Sequence, residues 1–299
     1  MNKLHSKDFT IAFKTGSDAN KSKFKKEAIQ GEMYFATDTS KLYVAETTAG
    51  LSDATLSRFD GESFRNEYAL QFQATSSQYL ESSNTSQSYT VGTISLWFKP
   101  SANITTSSSS QSLLSFGGGF NGLILGNCDV ISDELITFKT SSGNYHYTTT
   151  LPESMGGRIT NDWHHLGVTW DSTSSEYKIY LDGTNKMNTK SGTNAQITID
   201  DVIIAKNEGG FGYFDGVIDE VAIFSQSMSA TEIANLRVSN QPTALNLISP
   251  QPLSWWRMLD TEGGTGSSVA DDGSLSNSMN LMNSPSPYTL SSSDAIYIP

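Results

Sequence analysis

Trp163-His164-His165-Leu166-Gly167-Val168-Thr169-Trp170-Asp171, followed closely by Tyr177-Lys178-Ile179-Tyr180-Leu181-Asp182-Gly183, is the stretch that decides the fold. Side chains on a strand alternate between its two faces, so Leu166, Val168 and Trp170 line one side. Asp171-Ser172-Thr173-Ser174 supplies a polar turn between the two runs, and Asp182-Gly183 marks the next tight one. The stretch therefore reads as an antiparallel hairpin.

Working outward, the same pattern recurs. Tyr68-Ala69-Leu70-Gln71-Phe72 alternates, and so does Thr93-Ile94-Ser95-Leu96-Trp97-Phe98, with Ile94, Leu96 and Phe98 on one face and Pro100 at the end. Leu113 to Leu125 and Leu135 to Tyr147 read as strand pairs broken at Gly117-Gly118-Gly119 and Ser141-Ser142-Gly143-Asn144. Val202 to Ala205 and Val217 to Phe224 complete the set. Many short strands separated by turn signals mean an all-β sandwich or barrel.

One helix is specified. Ser229-Ala230-Thr231-Glu232 is a capping box, with Met228 and Ile233 placed for a hydrophobic staple, and the helix is expected to run to about Arg237. So short a helix must pack on the sandwich to be stable. After Pro242, Pro250 and Pro252, Leu253-Ser254-Trp255-Trp256-Arg257-Met258-Leu259 reads as an apolar strand, and the tail to Pro299 reads as loop.

Ahead of the sandwich, residues 1–50 form a separate small module. Asp8 to Lys14 alternates as a strand, a Lys-rich stretch follows, and Gly31 to Ala45 reads as a hairpin about Thr37-Asp38-Thr39-Ser40. This piece has too few apolar side chains for a core of its own and needs partners. Residues 51–67 read as a polar linker, and 68–299, including a C-terminal strand segment 253–299, as the main domain.

The 36% apolar content suits thin sheets with one wet face. The net charge is −12, yet residues 1–50 hold eight Lys against six acids, so the body is the acidic part. An acidic body disfavours nucleic acid, whose phosphates require a basic face. The single cysteine, Cys128, excludes an internal disulfide and a multi-cysteine zinc site. Met1 to Thr10 offers no apolar leader and no run is long enough to span a membrane, so folding in a reducing cytoplasm without a signal peptide is expected.

The Trp163–Asp171 and Tyr177–Gly183 motifs resemble the laminin-G/pentraxin-like family of concanavalin A-like sandwiches, as do Thr93–Pro100 and Phe214-Asp215-Gly216-Val217-Ile218-Asp219-Glu220-Val221 leading into the Ser229 helix. The resemblance implies a two-sheet jelly roll. Trp255 to Asp260, with Val269-Ala270-Asp271 and Asn277, resembles a segment that normally opens such domains. Here it closes the chain, as in phage fibre proteins, and is expected to fill the sheet position beside the Tyr68 strand. Gly31–Ala45 resembles a short phage tail-fibre module, which implies virion attachment through residues 1–50 and a homotrimer.

Glycosidases on this fold set two carboxylates on one face of a strand, at alternate positions. Asp219-Glu220 and Asp133-Glu134 are adjacent instead and are expected to point apart, as are His164 and His165. Hydrolysis and a histidine metal cluster (His5 and His146 are remote) are therefore not expected, and Cys128 reads as a small packing residue. Calcium is the ion the resemblance implies, through Asp271 and Asn277, with Asp219 as a further candidate, although polar Ala74-Thr75-Ser76-Ser77-Gln78 stands where relatives carry an acidic turn. Otherwise Asp219 is a structural carboxylate, on a face shared with Val217, Val221 and Ile223. Glycan binding needs exposed rings beside amides or carboxylates, and Phe120, Asn121, Tyr145, Phe211 and Tyr213 lie in or beside Gly-rich loops. Gly209-Gly210-Phe211-Gly212 lacks the lysine and helix of a phosphate loop. The expectation is a non-enzymatic virion subunit, a tail or surface fibre, that adheres to host-surface polysaccharide. The alternatives are a decoration protein without glycan binding and a polysaccharide-degrading enzyme.

Overall fold

The chain divides into two compact units, Met1–Ser63 and Phe64–Pro299. The computed structural model describes residues 64–82, 87–116, 121–127, 135–141, 144–148, 158–186, 189–191, 197–199 and 201–298, plus five strands of the first unit. For that first unit, and for 87, 141, 144–148 and 189–191, the backbone alone is described.

The first unit contains one sheet, in the order Asn2–His5, Thr10–Gly16, Met33–Ala36, Lys41–Ala45, Leu56–Arg58. Met33–Ala36 and Lys41–Ala45 pair antiparallel, as the expected hairpin requires. Leu56–Arg58 pairs with Lys41–Ala45, so a stretch expected to be linker contributes a strand.

The second unit has two large sheets. One runs Thr189–Ser191, Asn144–Thr148, Ile136–Ser141, Asn121–Leu125, Gln111–Phe116, Ile203–Ile204, Tyr79–Glu81, Met279–Met282, Ser268–Val269. The other runs Thr184–Asn185, Glu176–Leu181, His164–Asp171, Val91–Pro100, Gly216–Phe224, Tyr68–Phe72, Ser286–Thr289. The alternation that predicted the hairpin holds in register, with Val168 opposite Ile179 on one side and Ile94 on the other. Ile94, Leu96, Phe98, Leu166, Val168 and Trp170 face Leu114, Leu123 and Phe138 in a common buried core. Phe138 and Trp170 meet across it with ring centroids 5.9 Å apart.

The outer face of the second sheet is also covered, which is why Val91–Pro100 and Gly216–Phe224 are buried on both sides. The capping-box helix, Ala230–Asn235, places Ile233 against Tyr180, Ala222, Phe224 and Trp255, with Met228 in the same cluster. It ends at Asn235 with Leu236 as its C-cap, short of the expected end near Arg237. Further along, Leu290 and Ile296 from the C-terminal tail cover Ala69, Trp97 and Val217.

That tail is not loop. Ser268–Val269, Met279–Met282 and Ser286–Thr289 are strands, and the last of them pairs with Tyr68–Phe72. The apolar run at Leu253–Leu259 gives a strand only at Ser254–Trp256, paired with Val221–Ile223. Ser254–Trp256 and Tyr68–Phe72 thus share one lane beside Gly216–Phe224. A β-bulge at Asp219-Glu220 separates them. Glu220 adopts φ of 50°, a left-handed conformation uncommon for a side chain of this kind, as bulges demand.

Candidate functional site

The bulge reverses the alternation along Gly216–Phe224. Before it, Ile218 faces the core and Val217 faces outward. After it, Val221 and Ile223 face the core while Ala222 and Phe224 face outward. Asp219 therefore shares the outer face with Val217 but not with Val221 and Ile223, because the extra residue shifts every later side chain across the sheet. The neighbouring pair also does not diverge as ordinary strand residues would. Asp219 and Glu220 are both buried, at 0% and 3% exposure.

They belong to an acidic seam. Asp219 Oδ2 accepts from Asn66 Nδ2 at 2.9 Å, and its Oδ1 accepts from the Glu220 backbone N–H at 2.8 Å. Glu220 accepts from the Trp255 indole and from Arg257 Nε. Arg257 also bonds Asp260 at 3.1 Å, and Asp260 accepts the backbone N–H groups of Glu67 and Tyr68. One guanidinium thus serves two of three clustered carboxylates. Burial, then the charges of Glu220 and Asp260, raises the Asp219 pKa well above the usual range. Burial lifts Glu220 to about 7 and Asp260 to about 6, in each case against the opposing pull of Arg257. The cavity beside Glu220, lined also by Ser95, Trp97, Leu236 and Leu245, is about 10 Å³. It is the size of a single water, whereas ligand sites span about 300 Å³ or more. The seam joins chain segments that are far apart in sequence.

The two histidines do point apart. His164 packs on Phe98 in the core layer and pairs with Asp182 at 2.8 Å, whereas His165 packs on outward-facing Trp97 and bonds Ser95 at 2.8 Å. Full burial drives the His165 pKa down to about 4, so its ring is neutral.

Asp271 organises a loop. Its Oδ1 accepts from the N–H groups of Trp255 and Gly273, and its Oδ2 from that of Asn277. Asp271 and Asn277 are thus brought together, but the contact uses the Asn277 backbone, and the carboxylate already holds three donors. Asp219 has a separate set of partners. The donor set does not fit calcium, which needs six or more oxygens around one point. Among the described residues, no group of three His, Cys, Asp or Glu is arranged to hold a metal ion.

The exposed aromatic site lies elsewhere, on the Lys206–Tyr213 loop after the Ile203–Ile204 strand. The loop is closed by Asn207, whose N–H donates to the Phe211 carbonyl at 3.1 Å and whose Oδ1 accepts from the Phe211 N–H at 3.3 Å. Gly210 and Gly212, at φ of 80° and 63°, allow this tight path. Asn207 is buried, while Phe211 at the tip is 53% exposed. Tyr213 lies 6.4 Å from Tyr79 ring to ring, and Lys206 Nζ sits 3.6 Å over the Tyr79 ring. A half-exposed ring on the loop that also carries one member of a cation-braced tyrosine pair offers a surface on which a sugar face can stack.

Of the sequence-predicted glycan residues, Phe211 and Tyr213 both lie on this loop. Asn121 is 8% exposed and pairs in the sheet opposite Phe116. Tyr145 lies in Asn144–Thr148, opposite Lys139 and Ser191. Phe120, Cys128, Asp133 and Glu134 lie outside the described residues. Tyr79 and Lys206 were missed, since neither flanks a Gly-rich turn in the way that drew attention to Phe211.

The fold and its buried lattice define a lectin-like sandwich. The family model for the concanavalin A-like lectin/glucanases superfamily, laminin-G type, matches residues 73–234, more than half of the chain, and the chain belongs to that superfamily. Among solved structures, a Bacteroides ovatus protein assigned to carbohydrate binding is similar at 14% identity and a TM-score of 0.58, over 89% of this chain and 71% of that one. A heptameric SAP-like pentraxin of Limulus polyphemus is similar at 12% identity and a TM-score of 0.49, over 75% of this chain and 95% of that one. No curated protein sequence matches the chain.

Proposed function

We propose that this chain is a non-enzymatic phage virion subunit, of a tail or surface fibre, whose sandwich adheres to glycans of the host surface. The observation that carries the adhesive part is the Phe211 ring, presented to solvent on a tight loop beside the Tyr79–Tyr213 pair. Membership of a lectin superfamily and likeness to the Bacteroides ovatus protein support it. The virion setting rests on the likeness of Gly31–Ala45 to tail-fibre modules, with residues 1–50 docking a homotrimer onto the particle. Absence of catalysis agrees with burial of Asp219 and Glu220 around Arg257.

The test is a glycan array probed with the full chain and with Phe211→Ala. Binding that the substitution abolishes supports adhesion through this loop. A chain that binds no glycan but coats purified particles is instead a decoration protein. Release of reducing ends from host polysaccharide would establish an enzyme.

A further inference from the structure

The charge pattern around the Phe211 platform bears on the class of sugar it accepts, and this inference rests on the adhesive reading above. Across Tyr79–Glu81 and Lys206–Asp215 there is one cation, Lys206, and its ammonium is held 3.6 Å over the Tyr79 ring. Tyr79 in turn gives a side-chain hydrogen bond to the Glu81 carboxylate. Glu208 is exposed in the loop itself, and Asp215, two residues past Tyr213, accepts the Ser101 hydroxyl at 2.6 Å. These segments thus carry three carboxylates against a single lysine, whose ammonium sits over a ring.

The wider surroundings have the same sign. Residues 64–299 hold 22 acidic side chains against 10 basic ones. A polyanion approaching the loop meets repulsion over roughly a Debye length, about 8 Å at physiological salt. An uncharged sugar meets none. Its C–H face can stack on an aromatic ring, and its hydroxyls can donate to Glu81 or Glu208, since carboxylates are acceptors.

We propose that the Tyr79–Lys206–Phe211–Tyr213 platform binds an uncharged, hydroxyl-rich polysaccharide and rejects acidic ones. The experiment measures retention of the full chain on immobilised dextran, mannan and galactan, with polygalacturonate and alginate as acidic polymers. Each is run at low and high salt, with Phe211→Ala and Lys206→Gln alongside. The expected result is retention on at least one neutral polymer, changing less than about twofold with salt because no ion pair is screened, and lost in Phe211→Ala. Retention on an acidic polymer that salt weakens and Lys206→Gln removes would overturn the sugar class while leaving adhesion standing. Neutral retention indifferent to Phe211→Ala would overturn the site. Retention on neither class would overturn adhesion and this inference together.

Discussion

Asn66 and Asp219 are joined by a buried side-chain hydrogen bond of 2.9 Å across 153 positions of the chain. The same amide nitrogen donates to the Ile296 carbonyl at 3.1 Å, which fixes the orientation of the amide, because a carbonyl can only accept. One side chain thus ties the start of the domain to its central strand and to its C-terminal tail.

Removing Asp219 breaks that tie. Asp219→Ala leaves the Asn66 amide and the Glu220 N–H short of an acceptor in a buried site and is expected to cost about 1–3 kcal/mol. Asp219→Asn keeps one acceptor and is expected to cost less. Denaturant melts of both variants, with and without excess calcium, check this. Calcium is expected to shift neither, since the Asp219 partners are amides, and a calcium-dependent rise in the parent would contradict the assignment.

The acidic seam has a signature in pH. Glu220 is raised to about 7 and Asp260 to about 6, so the folded chain holds protons there that the unfolded chain has released. Stability from these groups is complete below their ordinary pKa values, near pH 4, and is lost as pH rises through 6 and 7. His165, lowered to about 4, acts oppositely, since its contribution is present above about 6.5 and is lost as pH falls toward 4. The thermal midpoint should therefore be highest in mildly acid buffer and fall toward pH 8. Glu220→Gln should flatten the alkaline limb alone. A parent more stable at pH 8 than at pH 5.5 would contradict this account of the seam.

Truncation at Pro250 removes buried Trp256, Met258, Leu259, Val269 and Met279 and strips one of the two strand partners from each of Tyr68–Phe72 and Tyr79–Glu81. Aggregation is expected, because bare strand edges and apolar surface are exposed together. The milder Trp256→Ala should cost about 3–5 kcal/mol by the cavity it leaves. Light scattering of the truncation and a melt of the variant test both.

Gly92 touches the core through its missing side chain. A Cβ there would lie 2.2 Å from the Trp170 ring. Gly92→Ala should therefore cost about 1–3 kcal/mol by overpacking, measurable as a lowered denaturation midpoint.

Much of the fold was legible because its signals were local. Period-two alternation located Val91–Pro100, His164–Asp171 and Glu176–Leu181, and the Ser229 capping box located a helix whose Ser229 and Glu232 bonds both form. What escaped depended on tertiary contact. No glycine or proline marks the Asp219-Glu220 bulge, since the left-handed turn is taken by a glutamate bonded to Trp255 and Arg257. Ser286-Pro287-Tyr288-Thr289 reads as loop because proline breaks alternation, yet an edge strand can spare one N–H. For the site, Phe211 and Tyr213 were visible beside glycines. Tyr79 and Lys206 joined them only when Ile203–Ile204 paired with Tyr79–Glu81.

The most direct test of the central claim, that the sandwich binds sugar on the Lys206–Tyr213 loop, is residue-resolved. Backbone amide shifts of the full chain are followed during titration with an oligosaccharide of the polymer that retains it. The account predicts that the perturbed amides cluster at Tyr79–Glu81 and Lys206–Tyr213, with those of the Asp271–Asn277 loop and the Asp219 seam unmoved. Shifts concentrated at Asp271–Asn277, with the Phe211 loop silent, would contradict it.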